Sequence, residues 1–271
     1  MRWGGLLLLL IAFCGLAAGQ NARSIVQKSV GNDQWNWEHA RDYTYHHRET
    51  QLEMGKDGQF HEKQAETFDI TILYGRPFRR LIERNGEPLS PKDQEKEQTR
   101  FDKEVAKRRR ESEQEQSRLA AEYEKERVQQ RAFLREVVNA YNFTLLDTDH
   151  VDGHAAYVIT ADPRPDFHPH DSRAKILPKL RVKLWIDKQS YDWVKVDADV
   201  IQTFTWGFFV LRLNPGSHLH FEQQRINDEI WLPSRMLATV NARLFGKRVQ
   251  IEFDDRDSDY RKFQTDVKML P

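Results

Sequence analysis

The second half of the chain is a succession of short alternating runs, each closed by a turn signal. Leu180, Val182, Leu184 and Ile186 alternate with Arg181, Lys183, Trp185 and Asp187, and Asp187–Ser190 turns the chain. Val194, Val196, Ala198 and Val200 alternate with Lys195, Asp197 and Asp199. Phe209, Leu211 and Leu213 follow, then the Asn214-Pro215-Gly216 turn and a run from His218 to Arg225. Leu232–Leu244 is longer, with Met236, Ala238, Val240 and Ala242 on one side; Gly246 turns it, and Val249, Ile251 and Phe253 complete the series. Side chains alternate across a strand, so each run has one apolar and one wet face. Parallel neighbours need a crossover of a dozen or more residues, and these runs leave no room for one. The predicted fold class is α+β: a curved antiparallel sheet, an incomplete β-barrel, covered by helices.

The first half supplies both strands and covers. Tyr43–Met54 and Phe60–Leu73 read as strands about the Lys56-Asp57-Gly58 turn, and Phe78–Glu83 as a third ending at Asn85-Gly86. Ser90-Pro91-Lys92-Asp93 is a helix start, with a capping hydroxyl, proline in the first turn and an acid near the positive helix end. From there to about Arg131 the chain is mostly Glu, Lys, Arg and Gln, with sparse apolar positions that make no heptad seam. This is a solvated helical insertion laced with charge pairs, or a lid or docking arm. Leu134, Val137, Val138 and Tyr141 then fall at helical spacing.

Arg2, the apolar run Leu6–Gly15 and Ala17-Ala18-Gly19 have the order of a secretory leader. The expected organisation is a signal peptide over 1–19 and a single half-barrel domain over 20–271, including the charged helical insertion at about 91–141. The single cysteine, Cys14, falls inside the leader, and Phe13 before it is too bulky for a lipidation signal. The expected mature chain thus has no disulfide, thiolate nucleophile or Cys-ligated zinc. Its expected place is an exported, periplasmic or secreted compartment. Beyond the leader no run approaches the ~20 apolar residues of a membrane span. The 42 basic and 42 acidic residues cancel, which argues against a nucleic-acid partner.

Few constellations suggest chemistry. His168-Pro169-His170 and His218-Leu219-His220 each space two imidazoles by two residues, with Asp166 and Asp171 close to the first pair. Neither pair carries a metal motif, so no metal ligand is assigned. A metal-dependent hydrolase requires one of these pairs to converge with a carboxylate. Asp254-Asp255 and Asp197/Asp199 read as surface acids, and Trp185, Trp193, Trp206 and Trp231 as core or rim packing, with the lining of a ligand site as the alternative. Nucleophile elbows, phosphate loops and dinucleotide fingerprints do not occur, so neither an enzyme nor a cofactor is expected.

Leu184-Trp185-Ile186-Asp187-Lys188 with Trp193-Val194-Lys195-Val196, Glu229-Ile230-Trp231-Leu232-Pro233 and Asp259-Tyr260-Arg261-Lys262-Phe263 resemble the sequence pieces of bacterial outer-membrane lipoprotein-sorting-like (LolA-like) periplasmic lipid-binding proteins. The resemblance spans roughly 141–265; the charged insertion departs from it. It implies an incomplete antiparallel barrel, helices over its open side, and lipid or a lipoprotein's acyl chain in the concavity. The periodicity names the apolar face that such a chain would touch: Leu180, Val182, Leu184, Val196, Leu211, Leu213, Met236, Val240 and Ile251. The alternative is a cell-envelope interaction module, its interior self-filled and its long charged helices projecting to bind an envelope protein.

Overall fold

The computed structural model describes residues 6–206, 211–244 and 247–262, with side chains described over 21–205, 213–242 and 249–262. Helix α1 (Leu6–His39) is followed by strands β1 (Tyr43–Met54), β2 (Phe60–Leu73), β3 (Arg76–Arg84) and the two-residue β4 (Glu87–Pro88). Helices α2 (Pro91–Arg110), α3 (Glu113–Arg131) and the one-turn α4 (Val137–Ala140) come next. Then come β5 (Tyr141–Val151), β6 (His154–Pro163), β7 (Leu180–Asp187), β8 (Trp193–Val200), β9 (Phe204–Trp206), β10 (Leu211–Leu213), β11 (His218–Ile226), β12 (Ile230–Leu244) and β13 (Lys247–Lys262).

Eleven strands form one antiparallel sheet in the order β4-β3-β2-β1-β13-β12-β11-β8-β7-β6-β5. The last strand, β13, pairs with the first, β1, so both halves of the sequence share one sheet. Its outer strands β4 and β5 do not pair with each other, and the sheet stays open rather than closing into a barrel. A separate ribbon, β9–β10, packs against β12.

Helix α1 covers the sheet through one stripe. Ala22, Ile25, Val26, Ser29, Asp33 and Asn36 recur at three- and four-residue intervals, and all are buried. The stripe packs on β5, β6 and β7, where Tyr141, Phe143, Ile159, Ala161 and Ile186 form the main core with Ala174 and Leu177. Polar pins fix the helix to the β7–β8 turn. Asn32 Nδ2 donates to the Ser190 carbonyl at 2.5 Å, and Asn36 Nδ2 to Asp192 Oδ1 at 2.7 Å. The turn is built by Asp187, whose Oδ1 accepts from the backbone N–H of Gln189 (2.9 Å) and Ser190 (2.7 Å). Side chains of the expected leader, 1–19, lie outside the described residues. Among the described residues, no helix is long and apolar enough to cross a membrane.

The charged insertion differs from the single solvated helix that its composition suggests. Arg110 ends α2, and Ser112 starts α3 with its hydroxyl accepting from the Glu115 N–H at 3.2 Å. Helix α2 lies on the face of β3 that carries Phe78, meeting it through Phe101 edge-to-face at 5.5 Å. That face is opposite Ile70 and Ile72, because Phe78 pairs with Thr71 between them. Only α3 returns to the Ile70/Ile72 face. The expected apolar cover is therefore split around the edge of the sheet. Both helices lie against the sheet; neither projects from it as the interaction-module alternative envisaged.

Two further expectations are corrected. Tyr141 belongs to a strand: the helical spacing from Leu134 onward is met by a 3₁₀ turn over Ala132–Glu136 and by α4, after which β5 begins. The face opposite the main core is also not uniformly wet. Ala156, Val158, Trp185, Val194 and Trp231 make a second buried cluster there. Val194 reaches it because the β7–β8 register shifts between Trp185 and Ile186, so that Trp193 takes the place of Val194 on the core side.

Candidate binding cavity

A cavity of about 320 Å³ lies between the sheet and its helical cover. Its floor is Leu180, Val182, Leu184 and Ile186 of β7, Trp193, Val196 and Ala198 of β8, and Leu219 and Phe221 of β11. These residues share a face by register: Val182 pairs with Ala198, Leu184 with Val196, Phe221 with Val196 and Leu219 with Ala198. The roof is Val26 and Val30 of α1 with Phe133, Leu134 and Val137. Its polar groups are Ser29, Asp33, Arg131 and the Tyr141 hydroxyl, and that hydroxyl is spent on the Leu177 carbonyl at 2.8 Å. Asp33 pairs with the Arg131 guanidinium and accepts from Trp193 Nε1 at 2.8 Å. The charges on the wall thus neutralise one another, and the floor offers mainly hydrocarbon and aromatic surface.

Of the residues that periodicity picked out, Leu180, Val182, Leu184 and Val196 line this cavity together. Leu213, Met236, Val240 and Ile251 are not among its lining residues, and the side chain of Leu211 lies outside the described residues, as do Phe209, Gly246 and Phe263. Met236 and Val240 continue the same face across β12, since Met236 pairs with Phe221. Ile251 continues it on β13 opposite Val240. This stretch is half-buried, and Phe253 beside it is 37% exposed. Strand alternation made the floor readable. The roof residues, Asp33 and Arg131 were missed because α1 and the insertion meet only in three dimensions.

Farther along the same face a polar patch interrupts the apolar surface. His47 Nδ1 lies 2.5 Å from Asp257 and its Nε2 3.1 Å from Glu49. Burial pulls His47 down, but the hydrogen bond and charge of Asp257, with Glu49, outweigh it and hold the imidazole above its ordinary value. Burial pushes the Asp255 carboxyl up to about 6, with Glu49, Asp257 and Asp254 adding to the rise and His47 opposing it. Beyond this patch a second cavity of about 480 Å³ opens under α3, lined by Tyr43, Tyr45, Ile70, Ile72, Tyr123 and Tyr260 among others. Tyr45 and Tyr260 stack there at 5.1 Å between ring centroids.

The two histidine pairs part company. His168 and His170 stay in the β6–β7 connection, and the His170 side chain is 93% exposed beside Glu136. His218 and His220 lie on the face of β11 opposite the cavity, where they pair with Asp199 and Asp197 of β8.

No family model and no curated protein matches the chain. Solved structures with a similar course include an outer-membrane lipoprotein-sorting protein domain from Vibrio parahaemolyticus, described there as putative. It is 14% identical and has a TM-score of 0.35, over 90% of this chain and 95% of that one. A DUF1329 family protein from Desulfovibrio piger is 12% identical with a TM-score of 0.31, over 92% and 95% of the two chains. A LolA superfamily protein from Nitrosomonas europaea is 12% identical with a TM-score of 0.29, over 92% and 94%.

Proposed function

We propose that this chain is an exported, non-enzymatic binding protein that shelters an acyl chain of a lipid or lipoprotein in the cavity between α1 and strands β7, β8 and β11. The observation that carries the reading is the lining itself: aliphatic and aromatic side chains from five strands and the helical cover face one common, half-open space. At ~30 Å³ for each water-sized unit, that space admits on the order of ten methylenes. At ~0.8 kcal/mol each, ten methylenes give about 8 kcal/mol gross, near micromolar affinity before the loss of ligand motion is subtracted. Such a grip keeps the ligand from water and still releases it. The Asp33–Arg131 pair stands at the wall shared with an adjoining groove lined by Arg23, Arg131 and Arg135 together with Asp33 and Glu38. With Arg131 spent on Asp33, Arg23 and Arg135 are the groups that a negatively charged head group attached to the buried chain would meet there. Binding of this kind needs no covalent step.

The test is extraction of the natively purified chain with organic solvent and mass spectrometry of the extract, together with titration of a dansyl-labelled fatty acid. The expected result is acyl species in the extract and a micromolar dissociation constant. Leu184→Trp, which fills the cavity from its floor, should weaken binding at least about tenfold while the far-UV circular dichroism stays unchanged. Probe binding equal to wild type in a folded Leu184→Trp protein overturns the assignment of this cavity.

A further inference from the structure

We propose that β8 and β11 carry a site for a divalent transition metal on the face of the sheet opposite the cavity, with His218, His220 and Asp197 as its ligands. One ligand atom from each of the three lies within 4.8 Å of the others. Asp197 Oδ1 is 2.6 Å from His220 Nδ1 and 3.5 Å from His218 Nε2. A tetrahedral ion with bonds of about 2.0–2.1 Å sets its donor atoms roughly 3.3 Å apart, so small side-chain shifts close the cluster around an ion.

The surroundings of the two rings are the stronger argument. Each imidazole turns one nitrogen to Asp197 and gives the other to a carboxylate of its own. His220 Nε2 lies 3.0 Å from Glu222 Oε1, and His218 Nδ1 lies 2.8 Å from Asp199 Oδ1. A metal-bound histidine is held in this way: an outer carboxylate takes the second N–H, fixes the tautomer and makes the coordinating nitrogen more basic. His46 and His47 on β1 also lie between two carboxylates; what is particular to His218 and His220 is that the two rings share one of theirs, Asp197. Register produces the arrangement, because His218 pairs with Asp199 and His220 with Asp197, while Glu222 is the next residue on that face of β11.

Neighbouring cations are engaged elsewhere. Lys183 and Lys195 place their ammonium groups over the Trp185 ring at 4.6 and 4.8 Å, and Arg181 pairs with Asp162 at 2.9 Å. Access is open, since the side chains of His218, Asp197 and His220 are 36%, 26% and 14% exposed. Two imidazoles and one carboxylate suit Zn²⁺, Cu²⁺ or Ni²⁺ and not Ca²⁺ or Mg²⁺, which prefer all-oxygen shells. The site is independent of the acyl-chain reading and lies on the other side of the same strands.

Zn²⁺ alone is the probe, titrated calorimetrically into the full chain without a histidine tag. One equivalent should bind with a micromolar dissociation constant, and saturation should raise the melting temperature by a few degrees. His218→Ala and His220→Ala should each lower affinity at least about tenfold. Asp199→Asn, which leaves all three ligands in place, should lower it about tenfold. His168→Ala with His170→Ala should leave it unchanged. Protection of His218 and His220 from diethylpyrocarbonate by Zn²⁺ on the wild-type protein gives a readout that needs no variant to fold. Absence of binding at millimolar Zn²⁺, stoichiometric binding that survives loss of both histidines, or modification of both rings at unchanged rate overturns the proposal.

Discussion

At the scale of single residues, Asp255 shows how the concave face trades stability for polarity. Its ordinary value is near 3.8, and in the folded chain it rises to about 6 because burial and three neighbouring acids disfavour its charge. Between these values the folded state holds a proton that the unfolded chain has lost. Its contribution therefore falls as pH rises through this window, and the full penalty is present above about 6. The shift corresponds to at most about 3 kcal/mol, and solvent screening of a half-buried group reduces it to on the order of 1 kcal/mol. Asp255→Asn should thus raise the melting temperature at pH 7, and the gain should vanish at pH 4, where the wild-type carboxyl is already neutral. Thermal melts at both pH values check this; an equal gain at both refutes the titration account. His47 beside it changes stability in the same direction with pH, although its charged form is favoured in the fold where that of Asp255 is penalised. Its raised value gives stability that is complete below the ordinary imidazole range and is lost as pH rises through the folded value.

Among elements, α2 is anchored at its C-terminal end by one buried side chain. Arg108 is 7% exposed and donates to the carbonyls of Leu73 (2.8 Å), Arg76 (2.8 Å) and Pro77 (3.3 Å) at the β2–β3 turn. Arg108→Met keeps the apolar stem and removes these bonds. It should cost roughly 3 kcal/mol and speed amide exchange throughout 91–110, with fatty-acid binding unaffected. Composition hid this anchor, because a guanidinium in a run of charges looks solvated until the opposing turn is in place. Hairpin signals were legible for a different reason: Asp57-Gly58, Asn85-Gly86 and Asp187–Ser190 act through local backbone geometry. The cavity floor was legible through its period of two. The β7–β8 register shift that sends Val194 to the far face was not, since a bulge is decided by the partner strand. For the same reason His218 and His220 could be placed on one side of a strand, but not opposite Asp197 and Asp199.

For the molecule as a whole, the insertion and the proposed acyl cavity are separable. Helix α3 covers Tyr45, Ile70 and Ile72 through Ala120 and Tyr123, whereas α1 and residues 131–137 roof the other cavity. Replacing 92–128 with a flexible linker should uncover the first surface, so that anilinonaphthalene sulfonate fluorescence rises several-fold. Strand content should be kept, and fatty-acid affinity should stay within about threefold because the two regions share no lining residue. Loss of sheet structure in this variant would show instead that the insertion is integral to folding. The open outline of the sheet brings a hazard of its own. A border strand can recruit another copy, and equal numbers of acids and bases leave no overall repulsion to prevent it. One border is only the two residues of β4; the other, β5, is bulged between Leu145 and Asp147 and carries Asp147 and Asp149 along its rim. Resistance to edgewise growth into fibres therefore rests on a ragged, acid-studded margin, which does for this unclosed sheet what pairing of the two border strands does for a barrel.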